Sequence, residues 1–205
     1  EQDRDLMCVV DVGRLMAAPL EDHTRLDVAL DAVTAIAAVA NVLGDRCGAL
    51  AFDNKIRRRV SPRRSGGDDV VRALFDLEPS DIDSDYELAF RSVSGSKRSL
   101  VLVLTDLLED AAARPLIEAV PVLARRHLVI VASASDPDLD AVITAPPTSE
   151  RDVYAAAVAL DVVSARRRVA VQLRRSGAEV VEAAPKRLGA ACVGAYLAAK
   201  ARARL

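Results

Sequence analysis

Residues 7–16 read MCVVDVGRLM: four apolar residues run directly into Asp11, and a glycine, an arginine and a leucine follow within four positions. A short continuous apolar run suits a strand buried on both faces of a parallel sheet. A carboxylate at the C-terminal end of such a strand stands where open α/β sheets place their ligands. An aspartate there can equally cap a turn or the next helix, so the rest of the chain has to decide.

Of the 205 residues, 51% are hydrophobic and only 3% aromatic, with no tryptophan. That is enough for one well-formed core, so a single domain spanning 1–205 is expected, built from Ala, Val and Leu. The scarcity of aromatics argues against stacking platforms for bases. With 28 basic and 30 acidic residues the net charge is −2, and no global field draws the protein to nucleic acid or an anionic membrane. Cys8, Cys47 and Cys192 form no C-x-x-C pair, which reads as buried, reduced thiols in a cytosolic-facing domain. No run of about 18 apolar residues is present. The chain opens on EQDRD and enters a strand almost at once, as expected of a fragment of a longer protein.

Strands and helices alternate beyond Asp11. DVALDAVTAIAAVANVL (27–43) is Ala-rich, apolar at helical spacing, and predicts a long helix packed on a sheet. A second strand is predicted at Cys47 to Phe52, and KIRRRVSP (55–62) supplies a third, paired with it as a hairpin through Asp53-Asn54. SGGDDVVRALFDL (65–77) predicts a helix after a Gly-Gly hinge, and DSDYELAFRSV (83–93) a short helix with an Asp/Ser N-cap. SLVLVLTDLLED (99–110) carries the strongest strand, apolar from Leu100 to Leu104, and it too reaches an aspartate, Asp106. A helix at about 112–125, a strand in HLVIVASASDP, a long helix at about 150–175, a strand in EVVEAAP and a last helix in RLGAACVGAYLAAKARARL complete the order. The Pro-rich polar stretch 137–150 predicts a loop. The fold class is therefore α/β, a mostly parallel sheet with right-handed crossovers, helices on both faces and one antiparallel edge strand.

This order, with Asp11 after the first strand, GDRCGALAF, SDYELAF and LVLVLTD, resembles a von Willebrand factor type A domain. KRSLVLVLTDLLED, RRHLVIVASASDPDL and the terminal VGAYLAAKARARL are similar, more closely, to the bacterial domain-of-unknown-function 58 family, whose members carry a Rossmann-like type A domain. The resemblance implies a metal-ion-dependent adhesion site, in which an Asp-x-Ser-x-Ser loop, a Thr and a distal Asp hold Mg²⁺ and a partner's carboxylate completes the octahedron. Hard oxygen ligands suit Mg²⁺. Here the Asp is Asp11, the Ser positions are Gly13 and Leu15, the Thr position is Ser84 and the distal Asp is Asp106. Both serines are missing, which implies a degenerate site, with Asp11, Ser84 and Asp106 left as candidate ligands of a weak Mg²⁺ site. Without a cation between them the two aspartates need another partner, for which Arg14 is a candidate, and Asp106→Asn is expected to be neutral or stabilising.

Other candidates read as structure. IRRRVSPRR (56–64) packs five arginines into nine residues, a set able to grip phosphates or an acidic protein surface; on a hairpin edge such charge also prevents sheet-to-sheet aggregation, which is the preferred reading. Arg166-Arg167-Arg168 and the closing KARAR read as solvated helix faces. His23 and His127 are isolated and make poor metal ligands. Ser61, Ser65 and Ser84 lack a G-x-S-x-G context, and SGG alone is a weak phosphate loop.

The expected function is a protein-interaction module without catalytic residues or a required cofactor. Its binding face comprises Asp11, Gly13, Arg14, Ser84, Asp85 and Asp106. The resemblance implies a partner: a MoxR-type AAA+ ATPase or its client, with the domain acting as an adaptor in complex assembly or maturation. It also implies a cytoplasmic domain tethered to the inner face of the plasma membrane through a missing N-terminal region, since many members carry transmembrane helices there. The alternative is a Mg-dependent PIN-like nuclease or phosphohydrolase using Asp11, Asp106 and either Asp85 or Glu109.

Overall fold

A computed structural model describes residues 5–94, 97–107 and 110–202. The run that ends on Asp11 forms β1 (Asp5–Asp11), which lies inside a six-stranded sheet between β4 (Arg46–Phe52) and β6 (Ser99–Leu104). The sheet continues from β6 to β7 (Leu128–Ala134) and β8 (Ala178–Ala183), all parallel, while β5 (Ile56–Arg64) closes the other edge antiparallel to β4. Side chains alternate along β1 with the strand period of two. Leu6, Cys8 and Val10 face α1 (Arg25–Val42), α2 (Gly67–Leu74) and α7 (Pro185–Arg202); Met7 and Val9 face α3 (Tyr86–Ser94), α4 (Asp110–Ala124) and α6 (Glu150–Arg175). A parallel sheet covered on both faces explains why the strands read as continuous apolar runs. The α/β class, the parallel sheet and the antiparallel edge expected from the sequence are all present.

The Ala-rich helix α1 starts at a capping box, in which the Thr24 side chain and Asp27 satisfy each other's backbone N–H groups. Its buried stripe of Ala29, Ala32, Ile36 and Ala40 is short-chained and lies flat on the sheet. A small ribbon of β2 (Pro19–Leu20) and β3 (His23–Thr24), with a 3-10 turn at Arg14–Ala17, fills the crossover from β1 to α1.

Two expectations are corrected. Residues 137–144 are helical, forming α5 (Pro137–Thr144), where Pro-rich composition predicted loop. Pro137 at the first turn lacks an N–H that would be unsatisfied there anyway, and Asp136 caps the start by accepting from the Asp138 N–H at 3.0 Å. The closing basic stretch is also not wholly solvated: Lys200 pairs with buried Asp45, which accepts from Tyr196 too, and Arg202 pairs with Glu179. Cys8, Cys47 and Cys192 are all buried and free. No helix among the described residues is long and apolar enough to cross a membrane.

Gly48 marks the register shift between β4 and β5: a Cβ there would lie 2.6 Å from the Pro62 nitrogen and 2.6 Å from the Val60 carbonyl oxygen. Both obstacles are backbone and cannot rotate aside. Gly48→Ala is expected to lower stability by about 1–3 kcal/mol through overpacking, read as a lower midpoint of urea unfolding.

Candidate functional site

Asp11 ends β1 and is 1% exposed. One carboxylate oxygen, Oδ1, accepts from the Gly13 N–H at 2.8 Å and from the Ser84 hydroxyl. The other, Oδ2, meets the Thr105 hydroxyl at 2.7 Å and the Tyr86 hydroxyl at 2.8 Å. Those two hydroxyls are themselves 2.8 Å apart, so two protons serve three contacts. Burial and then the Asp11 charge push the Tyr86 phenol well above its ordinary range, which keeps it a neutral donor. Its ring stands edge-on to Phe52 and Phe90, at centroid distances of 5.5 and 6.2 Å. The segment carrying Ser84 is stitched to the strand ends by three backbone bonds: Ser80 to Val12, Arg14 to Ile82 and Asp85 to Asp53. Asp85 is exposed and caps α3, its side chain accepting from the Leu88 N–H at 2.9 Å.

Asp106 is 4% exposed and lies between two guanidiniums. Its Oδ1 is 3.1 Å from Arg25 Nη1 and 3.2 Å from Arg166 Nη2, and also accepts from the Leu107 N–H at 2.9 Å and the Ser133 hydroxyl at 3.3 Å. Both arginines also donate to the Ala134 carbonyl, at 3.1 and 2.8 Å. Asp136 and Glu182 stand farther out, 3.7 Å from Arg25 and 3.6 Å from Arg166. Burial raises the Asp106 carboxyl above the usual range while Arg166 and Arg25 pull it down; burial likewise lowers Arg25. Arg25 Nε and Asp106 Oδ2 have no protein partner, and both residues border a cavity of about 10 Å³, roughly the room of one water.

Arg166 was expected on a solvated face and is instead buried. The signal is in the helix period: Ala159, Arg166, Val169, Ala170 and Leu173 share one stripe of α6. Arg25 heads the buried stripe of α1 in the same way. Arg14, the expected partner of the aspartates, is exposed and pairs with Asp83 instead.

A third carboxylate, Asp53, stands in the sequence only as a turn residue of the predicted hairpin. It follows β4, is fully buried, and accepts from the Lys55 N–H at 3.0 Å and Arg57 Nε at 2.7 Å. Three adjacent strands, β4, β1 and β6, thus lead into buried aspartates that the protein satisfies internally, Asp11 by neutral donors and Asp53 and Asp106 by arginines. The arginines of β5 are engaged as well: besides Arg57, Arg58 pairs with Asp76, Arg59 donates to the Ser92 carbonyl and Arg63 pairs with Asp69.

These residues do not fit a Mg²⁺ ion, which requires oxygens free to turn to the metal in near-octahedral order. Both oxygens of Asp11 already accept protein hydrogen bonds, and two fixed cations flank Asp106. Gly13 offers no oxygen, and a Cβ there would lie 2.1 Å from Ser84 Oγ and 2.9 Å from the Ile82 carbonyl, so Ser84 fills the space of a side chain at 13. Among the described residues no three carboxylate, imidazole or thiol side chains form a group that could hold a metal. Glu109 lies outside the described residues.

The arginine pair reverses the expectation for Asp106→Asn. Removing the charge leaves two buried guanidiniums facing each other with only the more exposed Asp136 and Glu182, at 3.7 and 3.6 Å, to balance them, so the variant is expected to lose about 3–5 kcal/mol in chemical denaturation, and Arg25→Met a similar amount. Millimolar Mg²⁺ or EDTA is expected to leave the melting temperature unchanged, since only a ligand of the native state shifts it.

No curated protein matches the chain. Among solved structures it is similar to the conserved hypothetical protein BatB from Bacteroides thetaiotaomicron, with 15% identity and a TM-score of 0.64 over 96% of this chain and 99% of that one. The VWA domain of SpRpn10 is similar at 12% identity and a TM-score of 0.54, over 89% and 88% of the two chains. An aerotolerance-related membrane protein from Bacteroides fragilis NCTC 9343 gives 16% identity and a TM-score of 0.51 over 63% and 67%. At such identities the likeness shows the fold, which is von Willebrand factor A-like. Residues 1–179 match the family described as protein of unknown function DUF58, and the chain belongs to that family.

Proposed function

We propose that this domain is a protein-interaction module whose loop face, at the C-terminal ends of the strands, docks a MoxR-type AAA+ ATPase or a client that the ATPase remodels. The observation that carries the reading is the sealing of the strand ends. Asp11, Asp53 and Asp106 are each saturated or paired from within. What remains at the surface is a rigidly held rim of Arg14, Ile82, Asp83 and Asp85. A scaffolded polar rim with an exposed apolar residue suits recognition, whereas hydrolysis through metal would need free converging carboxylates. Asp11, Gly13, Ser84 and Asp106 then act by positioning the rim, and Arg14 and Asp85 by direct contact. The partner class comes from the family resemblance. So does the placement of the domain at the inner face of the plasma membrane, tethered through a region outside this chain; one similar structure is described as a membrane protein.

A pull-down with the cognate MoxR-type ATPase tests this. Arg14→Ala and Asp85→Asn, the latter keeping the cap of α3, are each expected to weaken binding by about fivefold or more while leaving the melting temperature in place, and EDTA to leave binding unchanged. Equal binding by wild type and both variants would remove the loop face as the interface.

A further inference from the structure

The chain has three phenylalanines. Phe52 and Phe90 are buried, but Phe75, just after α2, is 84% exposed. It stands at one wall of a groove of about 300 Å³ between α1 and α2, with Leu30, Val71 and Leu74 as apolar lining. The opposite wall carries Asp27 and Asp31, four residues apart on the exposed side of α1. Like charges at that spacing repel and weaken a helix. Among the described residues neither aspartate pairs with a lysine or arginine, and His23 is the one basic side chain lining the groove. On the neighbouring edge of the sheet, by contrast, Arg58 pairs with Asp76 and Arg63 with Asp69. An aromatic face and an apolar floor beside two carboxylates that lack a Lys or Arg partner, Asp27 keeping its capping bonds from Thr24, form the complement of a guanidinium or ammonium on an aliphatic stem.

We infer that the α1–α2 groove is a docking site for a segment of a partner protein that presents an arginine or lysine flanked by aliphatic side chains. The cation sits between the Asp27 and Asp31 carboxylates and the Phe75 ring, and the aliphatic neighbours cover Leu30 and Val71. The charge of the groove opposes phosphate-bearing ligands such as nucleic acid or an anionic lipid surface. This inference stands apart from the loop-face reading and uses none of its residues.

The test is an NMR titration of the ¹⁵N-labelled domain with the capped peptide Leu-Arg-Leu-Leu-Arg-Leu and with its counterpart carrying Glu for Arg. The arginine peptide is expected to shift resonances at 27–34 and 71–75, and the glutamate peptide to shift none. Asp31→Lys and Phe75→Ala are surface changes and leave the fold intact; each is expected to weaken binding by about tenfold. Asp85→Lys on the loop face is expected to bind as wild type does, so failure here and failure of the loop-face reading are separable. The inference is overturned if the arginine peptide does not bind, binds elsewhere, binds no better than the glutamate peptide, or is indifferent to both groove variants. Self-association in sedimentation that Phe75→Ala abolishes would assign the groove to a second copy and also overturn it.

Discussion

The carboxylate of Asp106, held between the guanidiniums of Arg25 and Arg166, ties α1, the end of β6 and α6 together at the C-terminal edge of the sheet. Taking these charges out of water costs several kcal/mol per ion, and their mutual attraction offsets that only when the remaining donors find acceptors. The Ala134 carbonyl and the Ser133 hydroxyl supply some of those acceptors, while Arg25 Nε and Arg166 Nη1 have no protein partner. Such an arrangement adds little net stability over an apolar core of the same volume. Its contribution is to selection: α1 lies on one face and α6 on the other, and the two reach a common carboxylate in one relative placement.

The neighbouring aspartates solve the same problem by different chemistry. Asp53 has one arginine from the adjacent hairpin strand; Asp11 has no arginine and relies on three hydroxyls and a backbone N–H. In the metal-holding version of this fold, a divalent cation would draw carboxylates and hydroxyls to itself and present an open position to a partner's acid. Here hydroxyls, backbone N–H groups and guanidiniums hold the aspartates instead, and the exposed rim carries the Arg14–Asp83 pair and Asp85.

Much of the fold could be read from the chain because buried parallel strands leave a local record: an uninterrupted apolar run with a polar stop. MCVV-Asp11 and SLVLVL both carry it, and the alternation of strands and helices fixed the class. The helix α5 was missed because Pro137 and Asp136 resemble loop chemistry unless they are recognised as a first turn and its cap. The partners of the aspartates were harder, since they are long-range: Asp106 meets Arg25 across 81 residues, and Asp11 meets Thr105 across 94. Arg166 had left a trace, standing in register with the apolar stripe of α6, but three consecutive arginines look like a solvated surface when counted rather than placed on a wheel. Asp53 looked like a turn residue because it is one; only its burial and its bonds to Lys55 and Arg57 distinguish it.

The irregular pairing of β4 with β5 bears on how copies of this domain can meet. Pro62 removes one N–H from the outermost strand, the offset at Gly48 breaks the even ladder, and arginines stand along the strand's length. An edge so built is a poor template for another strand. Growth of the sheet from one molecule into the next is disfavoured on that side, which leaves helices and loops as the surfaces better suited to meet another chain there.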